Sequence, residues 1–335
     1  MSKLVVPKGY KSILSVYETQ TAIGAIKRLF EDNLSRALNL HRVSAPLFVE
    51  PQSGLNDDLN GIERAVEFDI KETGTNAAVV HSLAKWKRMA LHSYGFPVGE
   101  GLYTDMNAIR RDEEMDNFHS IYVDQWDWEK VIDKASRNEE TLKATVIAIV
   151  DAICDTADKI DEMFPELTVR LSRDVKFVTT QELEDMYPGM TSKERENAYL
   201  KEHKTAFIMQ IGDVLKSGSK HDGRAPDYDD WTLNGDIMFW NDILQCAIEI
   251  SSMGIRVDEK SLDSQLTKAK CDNRRTLPFH KMLLEGKLPL TMGGGIGQSR
   301  LCMLLFQKAH IGEVQVSVWD KETLDGCAAA GIKIL

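Results

Sequence analysis

Asp236 in "GDIMFW" and Glu249 in "AIEISSMGIRV" are two carboxylates on adjacent apolar runs that read as strands. Two hard oxygen donors close together suit Mg²⁺, which binds one or two carboxylates and otherwise takes water and substrate phosphates. On the second run the two-residue period puts Glu249 and Ser251 on one face, and Gly254 and Arg256 end it. A third strand-like run, "SIYVDQWDWEKV", places Val123, Gln125, Asp127 and Glu129 on one face and Tyr122, Asp124, Trp126 and Trp128 on the other. A polar row inside an apolar strand costs free energy unless it meets partners or a ligand. Gln125 and Asp127 suit the polar groups of an amino acid.

"TMGGGIGQSRLCMLLF" adds four glycines and a cation, Arg300, ahead of an apolar run. Glycine weakens regular structure, but before a helix it lets backbone approach a ligand, and a helix N-terminus favours anions. Arg300 is then placed to stack on a purine or to contact phosphate. The stretch is not a P-loop, and Gln298 stands where a dinucleotide fingerprint needs its last glycine. "HSLAKWKRMAL" reads as a helix capped by Ser82, with Leu83, Trp86 and Ala90 inward and Lys85 and Arg88 on a solvated face. "GRAPDYDDW" gathers Asp227, Asp229 and Asp230 in a turn-rich loop.

Several elements must position these groups. Residues 19–40 show helical spacing through Ala22, Ile26, Leu29, Phe30, Ala37 and Leu38. "HRVSAPLFVE" reads as one strand restricted by Pro46, and "NAAVV" as another. Residues 139–164 form a long amphipathic helix, and Thr191 with Glu194 has capping-box spacing. Strands and helices do not alternate regularly, which favours an α+β fold with a mixed, mainly antiparallel sheet. Nothing resembles a linker, so all 335 residues are read as a single domain.

The net charge of −11 argues against a nucleic-acid footprint, which needs clustered Lys and Arg. No run suits a membrane span or a signal peptide, so the cytoplasm is the expected location. Five scattered cysteines without a C-x-x-C spacing read as buried thiols. The histidines show no metal-binding spacing.

Taken together these stretches resemble the catalytic domain of class II aminoacyl-tRNA synthetases of the aspartyl and asparaginyl branch. Helix 21–40 with the Pro46 strand is similar to the first motif, Arg110 to Glu113 to the second, and Gly293–Gly297 with Arg300 to the third. "HSLAKWKR", "GEGLYT", "VDQWDWE", "RAPDYDDW", "SSMGIRVD" and "GGGIGQSRL" resemble more closely the aspartate–ammonia ligase family. The resemblance spans roughly residues 10–320.

It implies ATP-dependent conversion of L-aspartate and ammonia to L-asparagine through a β-aspartyl adenylate, with Mg²⁺ and in a homodimer. It assigns Arg110 and Arg300 to ATP phosphates, with Arg111 the neighbouring alternative to Arg110, and Glu113 to the adenine end. Asp236 and Glu249 hold metal or nucleotide. Lys87 and Arg256 grip the α-carboxylate of an aspartate that lies reversed relative to the synthetases. Ser82, Gln125, Asp127, Asp229, Ser251 and Gly293 complete the aspartate site, and Asp57 serves the ammonia side. Arg300→Ala and Lys87→Ala are expected to fold normally and lose activity. The rival readings are a synthetase paralogue and a non-catalytic amino-acid sensor on the same fold.

Overall fold

A computed structural model describes residues 4–57 and 63–335. Strands β1 (Leu40–Arg42), β2 (Phe48–Val49), β3 (Glu67–Ile70), β4 (Thr75–Val79), β5 (Gly101–Ile109) and β6 (Tyr122–Val131) occupy the first part of the chain. They are followed by β7 (Lys176–Thr179), β8 (Thr205–Met209), β9 (Asp229–Asn241), β10 (Cys246–Arg256) and β11 (Thr291–Gly297). The α-helices are α1 (Val16–Leu38), α2 (Ala84–Tyr94), α3 (Glu139–Met163), α4 (Thr180–Met186), α5 (Ser192–His203), α6 (Glu259–Lys268), α7 (Pro278–Leu284), α8 (Gln298–Leu305) and α9 (Lys321–Ala329). The large sheet runs β1-β5-β6-β11-β10-β9-β8-β7, and β2-β4-β3 form a small one. Pairing is parallel at β1/β5 and β7/β8 and antiparallel elsewhere, the mixed, mainly antiparallel sheet expected from the sequence.

Helices α1 and α3 cover one face of the large sheet. Ser15 and Glu18 form a capping box at the start of α1. Ala22, Ile26, Phe30, Leu34 and Leu38 then turn inward, while Ala37 faces solvent. Phe30 packs on Trp126 at 4.7 Å between centroids, and the indole N–H of Trp126 donates to Glu31. The tryptophan face of β6 is therefore core, and its other face is free to line a site.

Two sequence expectations change here. "HRVSAPLFVE" is not one strand. It splits around Ala45–Pro46 into β1 in the large sheet and β2 in the small one, because proline has no N–H for a continuing ladder. The glycines of "TMGGGIG" are not a loop ahead of a helix. They form β11, paired along its length with β6 and β10. None of Gly293, Gly294, Gly295 or Gly297 has a positive φ. Glycine is needed for space: a Cβ on Gly295 would lie 2.4 Å from Gln125 Oε1 and 2.7 Å from Asp127 Oδ1, and one on Gly294 2.6 Å from Met253 Cβ. The sequence reading did not place α9, which follows the irregular stretch "VQVSV".

His310 closes the side of the molecule next to α8. It is fully buried, its Nδ1 accepts the N–H of Gly312 at 3.0 Å, and its ring packs edge-on against Trp319 at 4.7 Å. Burial disfavours the charged ring and pushes its pKa down to about 4. The unfolded chain, titrating near about 6.5, binds this proton first, so stability falls as pH drops from about 6.5 towards 4. Denaturant titrations should show up to roughly 3 kcal/mol of this loss by pH 4. His310→Gln should flatten the slope over that window, and an unchanged slope would refute the assignment.

Candidate active site

The uncovered face of β6, β11 and β10 is the floor of a cleft of about 440 Å³, within the range of small-molecule sites. Its lining includes Ser82, Lys87, Arg110, Glu113, Gln125, Asp127, Arg224, Tyr228, Asp229, Glu249, Ser252, Arg256, Gly294, Gly295 and Arg300.

At one end, the polar row of β6 meets cations from two other elements. Lys87 on α2 is buried. Its ammonium donates to the Gly294 carbonyl at 3.0 Å and lies 3.1 Å from Asp127 Oδ2. Burial pushes the Lys87 pKa down against the pull of Asp127. Arg256, at the end of β10, donates from Nε (3.1 and 3.0 Å) and Nη2 (2.8 Å) to Glu129 and from Nη1 to Asp229. Burial alone would raise the Glu129 pKa, but Arg256 and Lys87 outweigh it and hold the carboxyl below its usual range. Two cations and three carboxylates thus occupy one dry pocket. Lys87 and Arg256 retain unused N–H donors for an anion, and the carboxylates suit an ammonium group.

At the other end, Arg110 follows β5. Its side chain is 25% exposed, its ion pair with Glu113 is long at 4.0 Å, and its Nε is buried without a partner. Arg111 is exposed and does not line the cleft. Arg300, in the first turn of α8, sits 3.4 Å from Glu249 and donates to the Glu249 carbonyl at 3.2 Å.

Asp236 and Glu249 lie on paired strands, as read from the sequence. Burial and the nearby Glu249 push the Asp236 carboxyl well above its ordinary range, against the pull of Arg224. Burial would raise Glu249 as well, but Arg300 and Arg224 bring it below. Asp236 is covered by Arg224 and does not itself line the cleft. Two oxygen donors of this kind fit Mg²⁺, which completes its shell with water and phosphate. No cluster of three or more His, Cys, Asp or Glu suited to a metal exists among the described residues.

Other assignments move. Ser251 is buried and does not line the cleft, and its hydroxyl has no partner. Ser252 lines it instead. The ladder with β9 shifts register between Glu249 and Ser251, a bulge that breaks the two-residue alternation. Ile248 joins the core before the bulge, Ile250 at it, and Met253 and Ile255 after it. Gly293 lies beneath the Arg256–Glu129 pair rather than at the cleft surface: a Cβ there would be 2.1 Å from Glu129 Oε2. Ser82 is one residue before the helix cap, Leu83, though its hydroxyl accepts the N–H of Ala84 at 3.1 Å.

Lys85 and Arg88 are buried, not solvated. Lys85 pairs with Asp227 at 3.1 Å, and Arg88 donates to the carbonyls of Pro289 (2.9 Å) and Val257 (2.7 Å). The acidic stretch is likewise buried. Asp227 also accepts from Arg274 and His280 (both 2.9 Å), Asp230 from Arg137, and β9 begins at Asp229. Three of the five cysteines are buried and two half-buried, and all five are free.

Asp57 is buried behind the cleft wall. Asn56 Oδ1 accepts the N–H groups of Asp57 (2.9 Å) and His81 (2.8 Å), which ties this loop to the end of β4. Burial raises the Tyr228 hydroxyl well above its ordinary pKa, and the Asp57 and Asp229 carboxylates add to it. Sequence reasoning missed Arg224, Tyr228 and the pairing role of Glu129. Arg224 and Tyr228 stand in the quoted "GRAPDYDDW" among acids that drew the attention.

The antiparallel sheet with the cleft on its open face defines the class II aminoacyl-tRNA synthetase catalytic fold. An asparaginyl-tRNA synthetase from Pyrococcus horikoshii complexed with asparaginyl-adenylate superposes with a TM-score of 0.62 at 13% identity, over 88% of this chain and 68% of that one. The family model for aspartate-ammonia ligase matches residues 17–331. An aspartate–ammonia ligase from Clostridium perfringens is 61% identical over 336 residues, covering 100% of both chains. One from Lactobacillus johnsonii is 60% identical over 334 residues, 99% of each. The chain belongs to the aspartate–ammonia ligase family.

Proposed function

We propose that the cleft joins L-aspartate and ammonia into L-asparagine at the expense of ATP, through a β-aspartyl adenylate. The observation that carries the reading is that one cleft is lined by two separate cation sets. Arg110 and Arg300 stand at one end, and Lys87 and Arg256 with their carboxylates at the other.

Two anionic reactants repel, so catalysis consists of positioning them and offsetting their charge. Lys87 and Arg256 take the α-carboxylate, while Ser82, Gln125, Asp127 and Asp229 surround the α-ammonium. The β-carboxylate then faces the α-phosphate held by Arg110. A carboxylate oxygen bonds to phosphorus, the bond to the β-phosphate oxygen breaks, and pyrophosphate leaves. The ammonia nitrogen next bonds to the acyl carbon. The carbon–oxygen bond to phosphate breaks, AMP leaves, and the nitrogen gives up a proton. Asp57 serves the ammonia side, and Glu113 and Arg300 hold the nucleotide. Asp236 and Glu249 would hold Mg²⁺, which supplies neutralising charge at the phosphates. A homodimer paired through α1, a single catalytic domain and a cytoplasmic location belong to the same reading. No described helix is long and apolar enough to cross a membrane.

Incubation with ATP, Mg²⁺, aspartate and ammonium, followed by nucleotide analysis, tests this directly. AMP, pyrophosphate and asparagine in equal amounts are expected. ADP would place the attack at the γ-phosphate and overturn the adenylate route. Arg300→Ala should fold as the wild type does and raise the KM for ATP.

A further inference from the structure

The carboxylate assigned to the metal already has a cation of its own. Arg224, in the loop between β8 and β9, donates from Nη2 to Asp236 Oδ1 and from Nη1 to Ser252 Oγ, both at 2.6 Å. Asp236 and Ser252 are directly opposite in the β9/β10 ladder, so the guanidinium sits across one rung. Its side chain is only 11% exposed, yet it lines the cleft with Arg110, Glu249 and Arg300. Its Nε is buried without a hydrogen-bond partner. No role described above uses this arginine.

A divalent ion and a guanidinium cannot share one carboxylate comfortably, because like charges repel strongly in a partly dry site. A metal therefore takes Asp236 only if Arg224 withdraws. The chain around Arg224 limits where it can go. From Ala225 onward the loop is fixed: the Ala225 carbonyl accepts from the indole of Trp231 at 3.3 Å, and Asp227 is buried among Lys85, Arg274 and His280. The rearrangement is confined to the Arg224 side chain and the residues before it, and the side chain stays in the cleft. There Arg110 is committed to the α-phosphate, which leaves Arg300 and Arg224 as the lining guanidinium groups for the β- and γ-phosphates of ATP. A guanidinium fork binds phosphate oxygens in pairs.

We propose that Arg224 is a placeholder for the metal. In the free enzyme it neutralises Asp236. When ATP arrives with its divalent ion, Arg224 cedes Asp236 to the ion and grips the β- and γ-phosphates, the pyrophosphate that later leaves. This rests on the assignment of ATP and metal to the cleft made above.

Calorimetric titrations of the full chain separate the two. The titrants are Mn²⁺ alone, then pyrophosphate or AMP at saturating Mn²⁺. Arg224→Ala should bind Mn²⁺ alone about tenfold tighter, since its competitor is gone, and pyrophosphate about tenfold more weakly, with AMP within about twofold of wild type. A merely structural arginine would not tighten metal binding when removed. Unchanged or weaker Mn²⁺ binding, or unchanged pyrophosphate binding, overturns the proposal. If Arg224→Ala fails to fold, Arg224→Lys decides: it keeps the charge but not the fork. It should weaken pyrophosphate about tenfold without tightening Mn²⁺, and wild-type pyrophosphate binding refutes the idea. Asp236→Asn is the control. If it binds Mn²⁺ as the wild type does, the metal assignment itself fails, whatever Arg224 does.

Discussion

Arg256→Met should abolish asparagine formation and also destabilise the fold. Arg256 is the sole side chain bonded to both Glu129 and Asp229 among the described residues. Glu129 is fully buried, and its remaining hydrogen bond comes from Thr291 at 2.7 Å. Removing the guanidinium leaves two carboxylates in a dry pocket. Breaking a buried pair from one side costs about 3–5 kcal/mol. Turnover should fall by about 10³ or more, because the same cation holds aspartate in line with phosphorus. Denaturant unfolding gives the first number, and turnover per folded molecule the second. Arg256→Met with Glu129→Gln should regain part of the stability and none of the activity. A stability loss under about 1 kcal/mol, or turnover within about tenfold of wild type, would refute the role.

Arg110→Ala should separate the two effects. Its ion pair with Glu113 is long, and its guanidinium is partly exposed at the mouth of the cleft. The loop is held by backbone instead: the Arg110 N–H donates to the Ile121 carbonyl at 2.8 Å, and the Arg110 carbonyl accepts from Glu113 at 3.1 Å. Alanine keeps both bonds, so stability should change by no more than about 0.5 kcal/mol. Turnover should drop by about 10²–10³, the effect of deleting one donor aimed at developing charge. The KM for aspartate should stay near wild type, since Lys87 and Arg256 are untouched. Arg111→Ala is the internal control, exposed and outside the cleft. If Arg111→Ala is the inactive variant, the phosphate assignment belongs to Arg111.

The contrast between these two arginines also marks what the sequence can convey. Local regularities were readable: the tryptophan and polar faces of β6, the capping box at α5, and the carboxylates of β9 and β10. Each depends on neighbours a few residues apart. Burial of charge was not readable, because it depends on partners far along the chain. Lys85 looks like a solvated helix residue until Asp227, 142 positions away, is placed beside it. Lys87, read as an aspartate ligand, is buried against Asp127 as well, so Lys87→Ala should lose stability along with activity, where the sequence alone leads to the expectation of normal folding. The alternation that sets Ser251 beside Glu249 is broken by a bulge that no residue type announces, and Ser252 lines the cleft instead. The glycines signalled close approach correctly, but what approaches is the neighbouring strands' side chains.

The aspartate end of the cleft is built on β11, which is paired on both sides in the middle of the large sheet. It has no way to loosen by itself. Separating Gly294 from its neighbours means tearing apart β6, β11 and β10 together, which is the unfolding of the whole protein. Amide exchange at this floor should therefore follow global opening, as expected for a central strand paired on both sides. Adaptation to substrate falls to the surrounding turns, such as the one that carries Arg224, and a bulkier amino acid meets a wall that cannot yield.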